Sequence, residues 1–297
     1  MQFHLPETQY KNTFADMLSF RILADNRIGN SCGLMPEHGL SIYIQYNGTN
    51  ILCDTGASHR FISNAAYMNI RLSETDLCFI SHGHSDHTGG LAHFLKNAPE
   101  KCRVYLSGQI KGNNFYSCRR GVKRDIGTDP AIFEKYADRL TPVVQSQWID
   151  KDIAIVKITH AGYPKPIGNS FLSNSDGNNE FPDKFTHELA LAIRGEKGVA
   201  IFSPCTHNGI FNVIESCMEF TGSYNLVAFV GGLHIVDGCE KGDEIASIGT
   251  SFITAYPHAK LYTGHCTCDF AIEILEKSMG TEKFEAFSTG GNYQLCL

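Results

Sequence analysis

The sequence predicts an α/β fold, and two observations in its last third support this most directly. From residue 189 onward, short apolar runs typical of buried strands alternate with longer amphipathic segments typical of helices. Several of the strands run straight into glycine followed by histidine or cysteine. Because α/β folds collect ligand-binding residues at the carboxyl ends of their strands, these strand ends indicate a functional site. The predicted strands are 189–193, 199–202, 226–230, 260–262 and 284–288, and the predicted helices are 210–220, 242–256 and 269–279.

The pattern of the first hundred or so residues predicts a further set of strands, in addition to those in the last third of the chain. Alternating apolar residues favour strands, and the dipeptide Asn47-Gly48 is a strong signal for a tight hairpin turn between two of them. Residues 1–15 are interpreted as a frayed lead or an added strand. The predicted strands are 19–26, 40–46, 49–53, 77–80 and 103–106, and helical patterns cover 57–68 and the residues that follow Gly90.

The middle of the chain has weaker periodicity and more Gly, Asn, Ser and Pro. We expect a single domain over residues 1–297, with an elaborated segment or lid at about 107–184 that includes a strand at 153–156. Within it, residues 119–124 form a basic cluster on an acidic protein. This cluster is either a solvated loop or part of a lid that meets an anionic substrate.

Composition limits the possible classes of function. The chain has 297 residues, of which 42% are hydrophobic and 19% charged, as in soluble globular proteins. A formal charge of -6 gives no general basic surface for nucleic acid or an anionic membrane. Eleven scattered cysteines, with no signal-peptide pattern and no membrane-length apolar run, favour a reducing cytoplasm. We expect a small-molecule substrate, possible oligomer formation and no membrane partner.

The most informative stretch follows the predicted strand at 77–80. Four side chains that can bind a metal occupy six positions, namely His82, His84, Asp86 and His87. Imidazole nitrogens and carboxylate oxygens are ligands for borderline divalent cations such as zinc. His82 and His84 project to the same side of an extended backbone, and the other two can address a second cation. The alternative is a polar loop in which Asp86 caps the next helix.

These residues resemble a known family. Leu52-Cys53-Asp54-Thr55-Gly56, the motif His82-x-His84-x-Asp86-His87, a later histidine at a strand end and Gly264-His265 are similar in order and spacing to the metallo-β-lactamase superfamily, over roughly residues 18–290. The resemblance implies an αββα sandwich of two mixed β-sheets flanked by helices. It also implies a metal site at one edge, between the sheets.

A closer resemblance rests on residues 37–41, 204–209, 231–234 and 264–267. These are similar to a subgroup of prokaryotic metal-dependent hydrolases that includes the dihydropterin ribofuranosyl-aminobenzene phosphate synthase-like proteins. Because one fold and one metal site serve many reactions, that substrate remains an analogy.

The resemblance also implies which residues bind the metals. His82 and His84 would hold a first cation, and Asp86, His87 and His265 a second. The third ligand of the first cation is His207, or alternatively His187 if the other alignment applies. In that alternative Cys205 stands where most relatives have a bridging Asp, and its thiolate would be a soft ligand. Otherwise Cys205 is a small buried hydrophobe and His187 a surface or outer-shell residue.

Other residues are expected around the ligands. By resemblance Asp54 accepts a proton from a ligand imidazole and fixes its tautomer, although it also fits a turn cap. His234, after two glycines, is a candidate for substrate or oxyanion contact. His38 is a weaker candidate for the same edge. The remaining histidines carry no functional expectation: His4, His59, His93, His160 and His258.

We therefore expect a metal-dependent hydrolase that acts on an ester, lactone, amide or phosphoester. A cation lowers the pKa of its bound water from about 15.7 toward 7, which provides hydroxide at neutral pH. Asp86 and His234 are the expected catalytic residues, and the expected cofactor is two zinc ions per chain, with iron or manganese as alternatives. Alternative functions are a synthase-like transferase, oxygen or redox chemistry at iron, and a non-catalytic metal-binding sensor.

Overall fold

The computed structural model describes residues 17–29 and 32–297, so the predicted lead at 1–15 lies outside the described residues. Its first-half strands are β1 (Met17–Ala24), β2 (Ser41–Tyr46), β3 (Thr49–Cys53), β4 (Leu77–Phe79), β5 (Arg103–Ser107), β6 (Asn114–Ser117), β7 (Arg124–Asp125), β8 (Leu140–Val143) and β9 (Gln147–Trp148). The later strands are β10 (Ile153–Lys157), β11 (Leu172–Ser175), β12 (Glu180–Pro182), β13 (Leu189–Gly195), β14 (Gly198–Phe202), β15 (Leu226–Val230), β16 (Lys260–Thr263), β17 (Phe284–Ala286) and β18 (Asn292–Cys296). The α-helices are α1 (Arg60–Tyr67), α2 (Ser85–Thr88), α3 (Leu91–Asn97), α4 (Ala131–Lys135), α5 (Ile210–Thr221), α6 (Gly242–Ala255) and α7 (Asp269–Met279).

Two seven-stranded mixed sheets form the centre of the molecule. The first has the order β18-β1-β2-β3-β4-β5-β8, and the second has the order β17-β16-β15-β14-β13-β10-β9. In each sheet, one half is antiparallel and the half that carries the helical crossovers is parallel. Parallel strands need covering helices, which explains the alternation of strands and helices seen in the sequence.

The main core lies between these sheets. Phe20 of β1 packs edge-on against Phe202 of β14 and Tyr262 of β16, with ring centroids 5.6 and 5.2 Å away. Two further apolar clusters lie on the outer faces: α1 and α3 cover the first sheet, and α5, α6 and α7 cover the second. The layers are therefore helix, sheet, sheet and helix, which confirms the predicted αββα sandwich. None of the described helices combines the length and apolar character that crossing a bilayer requires.

The segment 107–184 contributes to all three sheets. Strand β8 extends the first sheet beside β5, and β9 and β10 extend the second sheet beside β13. The remaining strands form a separate sheet of order β12-β11-β6-β7, which we call the small sheet. It is tied to the histidine motif, because Ser85 N donates to Ile126 O at 2.7 Å and Thr128 Oγ1 donates to Gly83 O at 3.0 Å.

Strand β18 was not predicted. It pairs with β1 at the edge of the first sheet, with Met17 opposite Cys296 and Arg21 opposite Asn292. Its sequence is mostly polar and its side chains are largely exposed, so it lacks the apolar alternation that reveals a half-buried strand. Long-range pairing with β1 determines its conformation.

Gly231, in the turn after β15, allows a prediction about the stability of the fold. Gly231 has a φ of +153°, and a Cβ added there would lie 1.9 Å from the carbonyl oxygen of Ser203. Gly231→Ala should therefore lower the free energy of unfolding by about 3 kcal/mol or more, because both strain and collision oppose it. Gly222→Ala is the matched control, since Gly222 has a φ of +65° with no atom near the added Cβ. The control should lose only about 1–2 kcal/mol. Equal denaturation midpoints for the two variants would contradict this account of the turn.

Candidate metal centre

The predicted ligands meet at one edge of the sandwich, where several parallel strands end. His82 and His84 lie in the loop after β4, and α2 follows with Asp86 and His87. Across the sheet interface, His207 follows β14 and His265 follows β16. The carboxyl ends of strands from both sheets therefore supply side chains to one place, as expected for an α/β site.

Three imidazoles form the first group of donors. His82 Nε2 lies 3.1 Å from His84 Nδ1. The ring centroid of His207 lies 4.9 Å from that of His82 and 5.0 Å from that of His84. One nitrogen from each ring falls within 4.8 Å of the others. His207 Nε2 is buried without a hydrogen-bond partner among the described residues, so it is free to accept a cation.

A second group lies beside the first. His87 Nε2 is 3.1 Å from His265 Nε2, and Asp86 Oδ2 is 3.3 Å from His265 Nε2 and 3.7 Å from His87 Nε2. Cys205 Sγ is 3.3 Å from His87 Nε2. Ligands at about 2.0–2.3 Å around a tetrahedral cation are separated by roughly 3.3–3.7 Å. Three of the four separations lie within this range and the fourth, 3.1 Å between His87 and His265, is slightly shorter, so these donors are close enough to share one divalent cation.

Each of four rings is held by a bond to its other nitrogen, which turns the remaining lone pair inward. The bonds are His82 Nδ1 to Ser81 Oγ at 2.8 Å, His87 Nδ1 to Asp54 Oδ2 at 2.7 Å, His207 Nδ1 to Asn169 Oδ1 at 3.0 Å and His265 Nδ1 to Asn26 Oδ1 at 3.0 Å. Asn169 also donates from Nδ2 to the carbonyl of His207 at 2.7 Å, which fixes the orientation of its amide. His207 Nδ1 must then be the donor, and its Nε2 carries the lone pair.

Asp54 has the role that the sequence predicted. Its carboxylate accepts the bond from His87 and also accepts from Ser81 N at 2.8 Å and Ser81 Oγ at 2.6 Å. Asp54 is fully buried and adopts a φ of +56°, a left-handed conformation that Asp tolerates better than most residues. The structure thus confirms that Asp54 holds an imidazole of the cluster.

Burial keeps the imidazoles of the first group neutral. Desolvation, reinforced by the neighbouring rings, holds the pKa values of His82 and His207 well below the usual range and lowers the pKa of His84 to about 3. Burial would raise the pKa of Asp86, but the imidazoles of His87 and His265 bring it well below its usual value. Near neutral pH the first group therefore offers neutral nitrogens and the second group an ionised carboxylate, which are the forms that bind a cation. His265 differs: burial lowers its pKa, but its neighbours Cys266 and Asp86 outweigh burial and raise the pKa to about 9, so a cation would displace a proton from this ring.

The alternative ligand His187 is buried rather than at the surface, with 2% of its area exposed. Its Nδ1 accepts from Gly83 N at 3.2 Å, and its Nε2 is bonded to Asp183 Oδ2 at 3.1 Å. Both nitrogens of His187 have protein partners, whereas His207 has one nitrogen free. The geometry therefore favours His207 in the first group, with His187 supporting the loop that carries His82 and His84.

His234 and His38 line the same cleft, which has a volume of about 750 Å³. The ring of His234 lies 4.2 Å from that of His207, and its Nδ1 is a buried atom with no partner among the described residues. His38 is largely exposed, with Nε2 3.4 Å from Asp86 Oδ2. The histidines without an expected role are elsewhere: His59 and His93 are exposed, His160 is bonded to Glu219, and His258 is exposed, while His4 lies outside the described residues.

Sequence reasoning did not identify two buried carboxylates behind the ligands. Asp25 Oδ2 accepts from His265 N at 2.6 Å, and Glu188 Oε1 accepts from His207 N at 2.6 Å. Burial raises the pKa of both carboxyl groups, an effect that their backbone hydrogen bonds partly oppose. Each carboxylate fixes the backbone of one histidine. In the sequence, each of these residues is visible only as an acidic residue at the border of a predicted strand. Acidic residues at such positions are more often part of a turn.

Comparison with known proteins agrees with this architecture. A family model described as metallo-beta-lactamase superfamily matches residues 34–161. The chain is 27% identical over 291 residues to 7,8-dihydropterin-6-methyl-4-(beta-D-ribofuranosyl)-aminobenzene-5'-phosphate synthase of Methanocaldococcus jannaschii, covering 93% of this chain and 96% of the relative. It is 28% identical to the uncharacterized protein MJ0448 of the same organism, covering 73% of this chain and 79% of that one.

A solved structure is similar over nearly the whole chain. Tm1679, described as a metal-dependent hydrolase of the beta-lactamase superfamily, superposes with a TM-score of 0.76 at 25% identity, covering 93% of this chain and 98% of the other. The sandwich, the strand-end histidines and these similarities together lead to one conclusion. The chain has the metallo-β-lactamase fold, and its residues 34–161 match the model of that superfamily.

Proposed function

We propose that this protein is a metal-dependent hydrolase that holds two divalent cations, zinc in preference to iron or manganese. The observation that supports this most is that distant parts of the chain bring nitrogen, oxygen and sulfur donor atoms to within 3.1–3.7 Å of one another. The first cation would be held by His82, His84 and His207, and the second by Asp86, His87, His265 and Cys205. Nitrogen, oxygen and sulfur donors in tetrahedral arrangement suit zinc.

A bound divalent cation would acidify a water molecule and polarise the scissile carbonyl or phosphoryl group. In this proposal the side chains of the protein orient the attacking water and the substrate. Asp86, held ionised by its imidazole neighbours, would accept a hydrogen bond from the attacking water and so fix its direction. His234 would donate from its ring to the oxygen that becomes negative, because it faces the cleft beside His207 and its Nδ1 has no other partner among the described residues.

The wall of the cleft suggests an anionic substrate. Arg124, in β7 of the small sheet, and Arg119, in the turn before β7, line the cleft together with His84 and Asp86. Neither guanidinium has an ion-pair partner in the described part of the chain, whereas the nearby Arg27 is paired with Asp269 at 2.7 Å. Unpaired guanidinium groups favour carboxylate or phosphate groups, which they bind with two parallel hydrogen bonds. A phosphoester or an acidic ester is therefore the proposed substrate class.

A second candidate is a synthase-like transferase. The supporting observation is that similarity to the methanogen synthase extends over 93% of this chain. The test is to incubate the metal-loaded protein with a dihydropterin derivative and a ribofuranosyl-aminobenzene phosphate. Mass spectrometry would then look for the coupled product. A coupled product that disappears in the His84→Ala variant would favour this candidate over the hydrolase.

The metal ligands give the first functional prediction. His84→Ala should abolish hydrolysis of a broad ester and phosphodiester panel and lower the metal content by about half, since it removes one of three donors to the first cation. Asp86→Ala should reduce the rate more than the occupancy of the first site. Elemental analysis and turnover numbers measure both effects. His93→Ala is the matched control, because His93 is exposed and outside the cluster.

Full activity of a metal-free His84→Ala preparation would eliminate the proposed mechanism. Loss of activity in His93→Ala would show that histidine removal acts through general stability.

The arginines give the second functional prediction. Arg124→Gln should raise the KM for a phosphodiester by about 10-fold or more, because a charge-assisted hydrogen bond contributes about 1.5–3 kcal/mol. The KM for an uncharged ester of similar size should change little. Steady-state kinetics on a matched pair of nitrophenyl substrates measures the difference. Lys111→Gln removes a positive charge from an exposed residue outside the cleft and should affect neither substrate. An equal rise in KM for both substrates in Arg124→Gln would argue against recognition of charge.

A further inference from the structure

Cys266 lies directly after His265, at the end of β16, and lines the cleft with Cys205. Its Sγ, the Sγ of Cys205 and a ring nitrogen of His265 are all within 4.8 Å of one another. Two thiolates bound to one zinc ion at about 2.3 Å can be up to roughly 4.6 Å apart. The 4.8 Å limit on the distance between the two sulfur atoms is compatible with one shared cation, which two thiolates span at roughly 3.8 Å in tetrahedral geometry.

The surrounding backbone is shaped around the sulfur of Cys266. A Cβ added to Gly232 would lie 2.4 Å from this Sγ, so only glycine leaves room for it. His234 N donates to the same sulfur at 3.2 Å. A backbone N–H directed at sulfur stabilises a thiolate, which is the form that binds metals. The sulfur of Cys266 therefore has a backbone donor in place, and as a thiol it donates to the carbonyl oxygen of Cys205 at 3.7 Å.

We propose that Cys266 is a further ligand of the second cation, so that this cation is five-coordinate instead of tetrahedral and is bound by two thiolates together with His87, His265 and Asp86. The inference depends on the metal-binding part of the proposed function. Each thiol would release its proton to solvent when the cation enters, and the two thiolates would offset the charge of a divalent cation. A site with two thiolates selects thiophilic cations such as zinc over manganese or magnesium, which prefer oxygen ligands.

X-ray absorption spectroscopy of the zinc-loaded protein tests this directly. Two thiolates shared between two zinc ions give an average of about one sulfur per zinc, and a single thiolate gives about half of that. Cobalt substitution adds an optical readout, since thiolate-to-cobalt charge transfer absorbs in the near ultraviolet. Cys266→Ser and Cys205→Ser should each lower the sulfur count and the absorption by about half, and the double variant should abolish both. Cys239→Ser is the matched control, because Cys239 is half-buried like Cys266 but does not line the cleft.

The proposal fails if Cys266→Ser keeps the full sulfur signal while Cys205→Ser loses all of it. It also fails if the wild-type protein shows only half a sulfur per zinc, a measurement that does not depend on whether any variant folds. Its failure is distinct from failure of the proposed function. A protein with one sulfur per zinc and no hydrolysis would keep this inference and reject the hydrolase. A protein with one thiolate ligand and normal hydrolysis would reject this inference and keep the hydrolase.

Discussion

The site depends on keeping neutral imidazoles close together away from water. Rings as near as 4.3 Å by centroid, such as those of His82 and His87, cannot all be protonated, and burial already lowers the pKa values in the first group. Burial leaves the Nε2 atoms of His84 and His207 without a hydrogen-bond partner among the described residues, so their lone pairs are available to a cation. Such an arrangement is unfavourable in an apoprotein and becomes favourable when cations accept those lone pairs. Metal binding and stability of this edge are therefore linked.

The fold maintains this arrangement through outer contacts and strained backbone. Asp54, Asn26 and Asn169 set ring orientation, and buried carboxylates fix the backbone of His207 and His265. Several non-glycine residues with positive φ lie in this same site: Asp54, Thr206, His234 and His265, with φ between 48° and 59°. Backbone strain of this kind persists only where surrounding contacts determine the conformation, and it is typical of functional sites. Here the packed core of the sandwich provides the contacts that hold these residues in their conformation.

The sequence was sufficient for elements whose identity is local. Strand alternation, the Asn47-Gly48 turn and the tight spacing from His82 to His87 predicted the two main sheets and the first half of the donor set. The sequence did not reveal residues whose role depends on partners far away in the chain. Asn169 meets His207 across 38 positions, and Asp25 meets His265 across 240, and neither residue type is unusual in a loop. The small sheet and β18 were missed for the same reason, since their strands are short, polar and formed by long-range pairing.

The cleft has two layers, and under the proposed function they would have separate tasks. The donors lie at the ends of sandwich strands, where the core fixes their position, so the chemistry of bound cations is independent of the substrate. The facing wall comes from the small sheet, which is tied to the histidine loop through Ser85 and Thr128. Changes in that wall alter what enters the cleft without moving the donors. Arg124 and the neighbouring Arg119 line the cleft on this side, so under the proposed function charge recognition and cation binding could be changed separately.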